Sequence, residues 1–197
     1  MKILYGARVA RWDLLKAVTL LATRVTRWTV TCDKALHRLV SYIDTSVDWA
    51  LEGYVGDGLD DLNLRLYADA DFAGDRPSYK STSGLILVLS GTNTWFPLAA
   101  KSQKQTCVSH STPEAEIVAL NTAIRTVGLP ALDLWEAVLQ RVLPKRVMLQ
   151  FCEDNETAIQ VMRTGKNPNM RHISRTHGVQ IAWLVEVFRK PWISLDY

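Results

Sequence analysis

The run Leu64-Arg65-Leu66-Tyr67-Ala68-Asp69-Ala70-Asp71 constrains the fold more than any other stretch of the chain. Side chains alternate across a strand, so Leu64, Leu66, Ala68 and Ala70 take one face while Arg65, Tyr67, Asp69 and Asp71 take the other. One face suits a core and the other carries charge. The turn-forming sequence Gly74-Asp75-Arg76-Pro77-Ser78 follows closely. That order sets two carboxylates at the carboxyl edge of a sheet, where open α/β folds build their sites.

The elements around this strand fall into two groups. Before it, helical spacing of apolar residues predicts a helix from Asp13 to Val25, with Asp13 as N-cap, and a second from Asp33 to about Ile43. The two read as a hairpin. Val47 to Val55 reads as extended, and Gly53, Gly56, Gly58, Asp60 and Asp61 read as a linker. After the first strand come two more, Gly84 to Leu89 and about Thr94 to Ala99, joined by the turn Ser90-Gly91-Thr92-Asn93. A helix is expected from Thr112, with Pro113 in its first turn, to Gly128, and another from Leu129 through Leu143. Val147 to Cys152 reads as a buried strand, Asp154-Asn155 as the cap of a helix closed by Gly165, and Thr176 to about Lys190 as the last helix. Three antiparallel strands followed by one rejoined through a helical crossover make a mixed α/β sheet with helices on its faces.

With 197 residues and a hydrophobic share of 48%, the chain can fill a core of its own. Its net charge of +3 is too small to indicate a nucleic-acid partner without regard to where the charges lie. Cys32, Cys107 and Cys152 are scattered and odd in number, which fits reduced thiols and an intracellular setting. No apolar run approaches the roughly 20 residues of a membrane span, and no membrane partner is expected.

Asp69, Glu116 and Asp154 fall at strand ends or on a helix expected to face the core. They lie tens of residues apart, so only the tertiary fold can gather them. Three carboxylates in one pocket repel and raise one another's pKa, a penalty that a divalent cation removes. Mg²⁺ suits such oxygen ligands, and a pair of such ions can activate a water and stabilise a leaving oxygen in phosphodiester cleavage. Singly, each acid also has an ordinary structural reading: a turn residue, an exposed helix residue and an N-cap.

Four motifs in order carry a family resemblance: Tyr67-Ala68-Asp69-Ala70-Asp71-Phe72-Ala73-Gly74-Asp75, Lys80-Ser81-Thr82-Ser83-Gly84, Ser109-His110-Ser111-Thr112-Pro113-Glu114-Ala115-Glu116, and Glu153-Asp154-Asn155-Glu156-Thr157-Ala158-Ile159. Together they resemble the ribonuclease H domain of copia-type LTR retrotransposon Pol polyproteins. Leu4-Tyr5, Arg11-Trp12-Asp13-Leu14, Ala17-Val18 and His37-Arg38-Leu39 resemble the end of the reverse transcriptase region that precedes it. The resemblance runs from about Leu4 to Phe188. It implies a helical remnant of reverse transcriptase over residues 1–46, a connecting strand and linker over 47–63, a ribonuclease H-like domain over 64–190 and a tail over 191–197.

The resemblance further implies Mg²⁺-dependent hydrolysis of the RNA strand of an RNA–DNA hybrid, with Mn²⁺ as a substitute ion and with the other Pol regions as partners. Asp69, Glu116 and Asp154 would be the catalytic metal ligands, with Asp71 and Glu114 as weaker candidates. The family's fourth acid, expected on the final helix, is matched here by Gln180, whose amide oxygen ligates weakly and brings no charge. A catalytically inactive element fragment that still binds nucleic acid is therefore the alternative. Integrases and transposases of the same fold use an Asp, Asp, Glu set, for which Asp69, Asp154 and Glu186 are the matching residues. The polymerase motif Tyr-x-Asp-Asp is absent, so DNA synthesis is not expected of this chain.

A hybrid also needs phosphate donors. Lys101 and Lys104 on one side, and Arg163, Lys166, Arg171, His172, Arg175 and His177 on the other, can form such a track; His172 or His177 can alternatively assist proton transfer. Cys107, His110 and Cys152 lack zinc-ligand spacing.

Overall fold

The computed structural model describes residues 2–139, Val142 and 146–197. A six-stranded sheet in the order β1-β4-β3-β2-β5-β6 is its frame. β2 (Asn63–Asp75), β3 (Lys80–Gly91) and β4 (Thr94–Lys104) form an antiparallel meander, and β1 (Tyr54–Val55) pairs antiparallel with β4 at one edge. On the other side of β2, β5 (Leu149–Cys152) and β6 (Ile193–Asp196) run parallel to it. β2 is thus central, and its alternation holds: Leu64, Leu66, Ala68 and Ala70 are buried, whereas Tyr67 and Asp69 are exposed.

α4 (Thr112–Ala123) lies on the apolar face of β2 and β3, burying Ala115, Ile117, Ala119 and Leu120 against the leucines of both strands and Phe151. Ser111 is its N-cap, accepting the Glu114 N–H at 3.3 Å. Where the sequence predicts a break at Gly128-Leu129-Pro130, the helix continues instead through a π turn (Ile124–Gly128) into α5 (Leu129–Leu139). The wider turn resolves the conflict: the Leu129 N–H reaches back to the Ile124 carbonyl, which lets the helix pass Pro130 despite its missing donor. Gly128 has its own reason, since a Cβ there would sit 2.8 Å from Leu66 Cδ2 and 3.3 Å from Leu149 Cδ2. The continuous helix Thr112–Leu139 has the length and apolar composition of a membrane span, yet half of its most apolar window is buried inside the fold. The final part of the predicted second helix, at 140, 141 and 143, lies outside the described residues.

α6 (Glu156–Thr164) begins as expected, with the Asn155 side chain accepting the Ala158 N–H at 3.0 Å, and ends at Gly165 with φ of 70°. The last helix, expected from Thr176, starts only at Ile181 (α8, Ile181–Phe188), and a short α7 (Ile173–Thr176) precedes it in the stretch expected as a basic loop. Gly178 separates them with φ of 68°, a conformation that stops a right-handed helix. Residues expected as a tail supply β6, whose Ile193 is buried beside Leu149.

The expected amino-terminal hairpin is three helices, α1 (Lys2–Val9), α2 (Leu15–Ala22) and α3 (Val30–Thr45). Asp13 caps none of them: it pairs with Arg11 at 2.8 Å and accepts the Tyr42 hydroxyl at 3.0 Å, while Thr29 caps α3. Ala7, Leu14, Leu15, Val18 and Leu39 form a second small core that packs against Ala100 of β4. Only Tyr54 and Val55 of the stretch expected to be extended from Val47 pair as a strand.

Candidate metal centre

Parallel pairing of β2 with β5 sets Tyr67 beside Cys152, so two residues further on Asp69 and Asp154 come level at the carboxyl ends of adjacent strands. Both are exposed. Glu116 approaches from the second turn of α4 and is buried, 4% exposed. One oxygen from each of Asp69, Glu116 and Asp154 lies within 4.8 Å of the others. Across β2, Asp69 pairs with Gly84 of β3, which has no side chain to crowd the acid.

Burial, followed by repulsion from Glu153, Asp69 and Asp154, pushes the Glu116 carboxyl up to about 8. Its Oε2 is buried without a hydrogen-bond partner. A charged-oxygen set with an unpaired buried atom and no soft donor fits a hard divalent cation.

Glu153, the first residue of the fourth motif and not among the expected ligands, belongs to this neighbourhood. It is 1% exposed, and its Oε1 accepts the Asn155 N–H at 3.2 Å while Oε2 has no partner. Burial, with repulsion from Asp154 and Asp69, raises its carboxyl to about 7. The signal was present in the sequence: Leu149, Phe151 and Glu153 alternate onto the buried face.

The remaining expected residues are distributed differently. Asp71 accepts the Thr82 N–H and pairs with Lys16 Nζ at 2.9 Å, outside the three-acid cluster. Glu114, 1% exposed, accepts the His110 N–H at 3.0 Å, and its other oxygen lies 3.2 Å from Nε2 of both His172 and His177. His177 is thereby turned into the fold, away from any phosphate. Lys104 pairs with buried Asp75, so it is not a free phosphate donor. Lys101 does line a cleft of about 750 Å³ that also contains Asp69, Glu153 and Asp154 and is bounded by Trp12 and Lys16 of the amino-terminal segment. Arg163, Lys166, Arg171 and Arg175 are exposed. Gln180 is the exposed residue preceding α8, in extended backbone and not within a helix as expected. Glu186 is exposed on α8 and is not in the carboxylate cluster, so the Asp69, Asp154, Glu186 set is not assembled.

No family model matches the chain. It is 35% identical over 122 residues to secreted RxLR effector protein 161 of Plasmopara viticola, an alignment covering 61% of this chain and 80% of the effector. It is 29% identical over 150 residues to the retrovirus-related Pol polyprotein of transposon TNT 1-94 from Nicotiana tabacum. The chain belongs to the family of effector protein 161. The second alignment takes in 72% of this chain but spans only 10% of the Pol polyprotein. Among solved structures, ribonuclease H1 of Halobacterium salinarum superposes with a TM-score of 0.45 at 15% identity, covering 68% of this chain and 83% of that one.

Proposed function

We propose that this chain is a copia-type ribonuclease H that hydrolyses the RNA strand of RNA–DNA hybrids with Mg²⁺, or Mn²⁺ in its place. The observation that carries the reading is the convergence of Asp69, Glu116 and Asp154 from three separate elements. These three residues would hold the ion, which when bound activates water for attack on a phosphodiester and offsets charge on the leaving oxygen. The chain's own part is positioning. β2 and β5 fix Asp69 and Asp154 side by side, and α4, anchored by its Ser111 cap and by Glu114, fixes Glu116 behind them. Lys101 in the cleft, with Arg171 and Arg175 at the surface, supplies phosphate contacts, and the amino-terminal helices represent the adjoining reverse transcriptase region of a Pol polyprotein.

A second reading, hybrid binding without cleavage, is favoured by the amide at Gln180, where the resembled family has an acid. One assay separates the two. Incubation with an end-labelled RNA–DNA hybrid and Mg²⁺ is expected to shorten the RNA strand while leaving duplex DNA intact. Retention of the hybrid in a gel shift, with no cutting in Mg²⁺ or Mn²⁺, overturns the nuclease reading and supports the binding one.

A further inference from the structure

Two buried groups outside the metal centre, Glu114 of α4 and His177 just after α7, lie against each other. Glu114 is 1% exposed. Its Oε2 accepts the His110 N–H at 3.0 Å, and its Oε1 lies 3.2 Å from Nε2 of both His172 and His177. The contact with His172 is a hydrogen bond. The contact with His177 is at ion-pair distance without one, and neither ring nitrogen of this buried side chain has a hydrogen-bond partner. Burying a carboxylate is costly unless its neighbours offset the charge, so Glu114 and the two histidines hold one another in place. Among the described residues Asp69, Glu116 and Asp154 alone gather closely enough for an ion, so the Glu114 group is a contact between segments.

The segment held in this way is basic on its outer side. From Arg171 to His177 the backbone is right-handed helical, so Ile173 and His177, four residues apart, turn inward, while Arg171 and Arg175 are exposed one turn from each other. The Cys107 thiol adds a further tie, donating to the Thr176 carbonyl at 2.8 Å. Glu114 and Glu116 are only about 3 Å apart along the axis of α4, so one helix turn holds both this segment and a ligand of the metal centre. We propose that Glu114 is a positioning residue for the nucleic acid: by holding His172 and His177 it docks residues 171–177 on the start of α4 and fixes Arg171 and Arg175, as a pair of phosphate contacts, relative to the metal centre. The inference rests on the hybrid-binding reading above and names what sets its phosphate contacts.

Affinity for a fluorescent RNA–DNA hybrid, measured by anisotropy in Mg²⁺ with Asp69→Asn present throughout so that no strand is cut, tests this. Glu114→Gln keeps the side-chain volume and the acceptor for the His110 N–H, and loss of a negative charge should by itself favour a polyanion. Positioning predicts the opposite sign. Glu114→Gln is expected to weaken binding about fivefold or more and to flatten its salt dependence, in the direction of Arg171→Ala with Arg175→Ala, which should remove about two phosphate contacts from the slope. All three changes together should bind no more weakly than the arginine pair alone, because Glu114 acts through those arginines. In protein that retains Asp69, Glu114→Gln should raise KM and leave kcat within about twofold. Should Glu114→Gln fail to fold by circular dichroism, His172→Gln breaks the same contact from its part-exposed side and takes its place. Binding by the folded variant equal to or tighter than that of the Asp69→Asn parent, or losses that multiply with those of the arginine pair, overturns the proposal and leaves the nuclease reading standing. No hybrid binding by the parent overturns hybrid recognition and the proposal together.

Discussion

Lys104 at the end of β4 is ion-paired with Asp75 at the end of β2, and Asp75 also receives Arg24 from the amino-terminal segment at 2.7 Å. Asp75 is 6% exposed, with the Ser78 hydroxyl as a further donor. Two cations and a hydroxyl on one buried carboxylate tie the helical segment to the sheet meander. Lys104, Ser78 and Arg24 together hold its pKa below the usual carboxylate range.

Asp75→Asn leaves both cations without their counter-charge. Both are partly solvated, so the expected loss is about 2–3 kcal/mol, below the full cost of breaking a wholly buried pair. Lys104→Met should cost less, because Arg24 and Ser78 remain. Urea denaturation of the two variants checks the order; equal stability of Asp75→Asn and wild type would contradict it.

Glu114 lies outside the three-acid cluster and makes its contacts with His110 and His172. Glu114→Ala removes the acceptor for the His110 N–H and the hydrogen-bond partner of His172, and takes the carboxylate from beside His177, for an expected cost of about 2–3 kcal/mol. That corresponds to a Tm lower by roughly 4–12 °C for a chain of this size. Thermal denaturation monitored by circular dichroism reads it directly.

The site itself should make metal-free stability depend on pH. Glu116 and Glu153 have folded-state pKa values raised to about 8 and about 7, above an ordinary carboxylate near 4.5. A raised acid favours the folded state while protonated, so its stabilisation is complete below about pH 4.5 and is lost as pH rises toward 8. Metal-free protein is therefore expected to weaken between pH 5 and 8, in proportion to these shifts, with Mg²⁺ restoring stability at the alkaline end. Denaturant midpoints with chelator and with Mg²⁺ across that window check the sign. A chelated protein that gains stability throughout the same window would contradict it.

Gly128→Ala tests why the long helix can cross the sheet so closely. Its new methyl group meets Leu66 and Leu149, and overpacking of this kind costs about 1–3 kcal/mol. Glycine's helix penalty runs the other way, by up to about 1 kcal/mol. A net stabilisation on denaturant unfolding would show that the contact relaxes freely.

Much of this architecture is legible in the order of residues. β2 reads directly because its apolar and polar positions alternate without interruption, and Asp69, Glu116 and Asp154, which the fold clusters, each sit in a motif at a strand end or near a helix start. Continuity from Thr112 to Leu139 does not, since Gly128-Leu129-Pro130 signals a break locally and only the π turn and the sheet beneath explain why none occurs. β6 is four residues long and takes its place from β5, a partner distant in sequence. The pairing of Lys104 is hidden for the same reason, since Asp75 lies on a different strand. Alternation from Leu149 and Phe151 places Glu153 on the buried face, whereas Asp154 beside it in the same motif is exposed.

The most direct measurement is hydrolysis of the RNA strand in a labelled RNA–DNA hybrid, comparing wild type with Asp69→Asn under Mg²⁺, Mn²⁺ and chelator. Asp69 is exposed on β2, so the substitution should leave the fold intact, as circular dichroism can verify. Cleavage by wild type with either ion, abolished by chelator and reduced at least about 100-fold in Asp69→Asn, is the predicted result. Undiminished cleavage in folded Asp69→Asn, or none by wild type with either ion, would contradict the account.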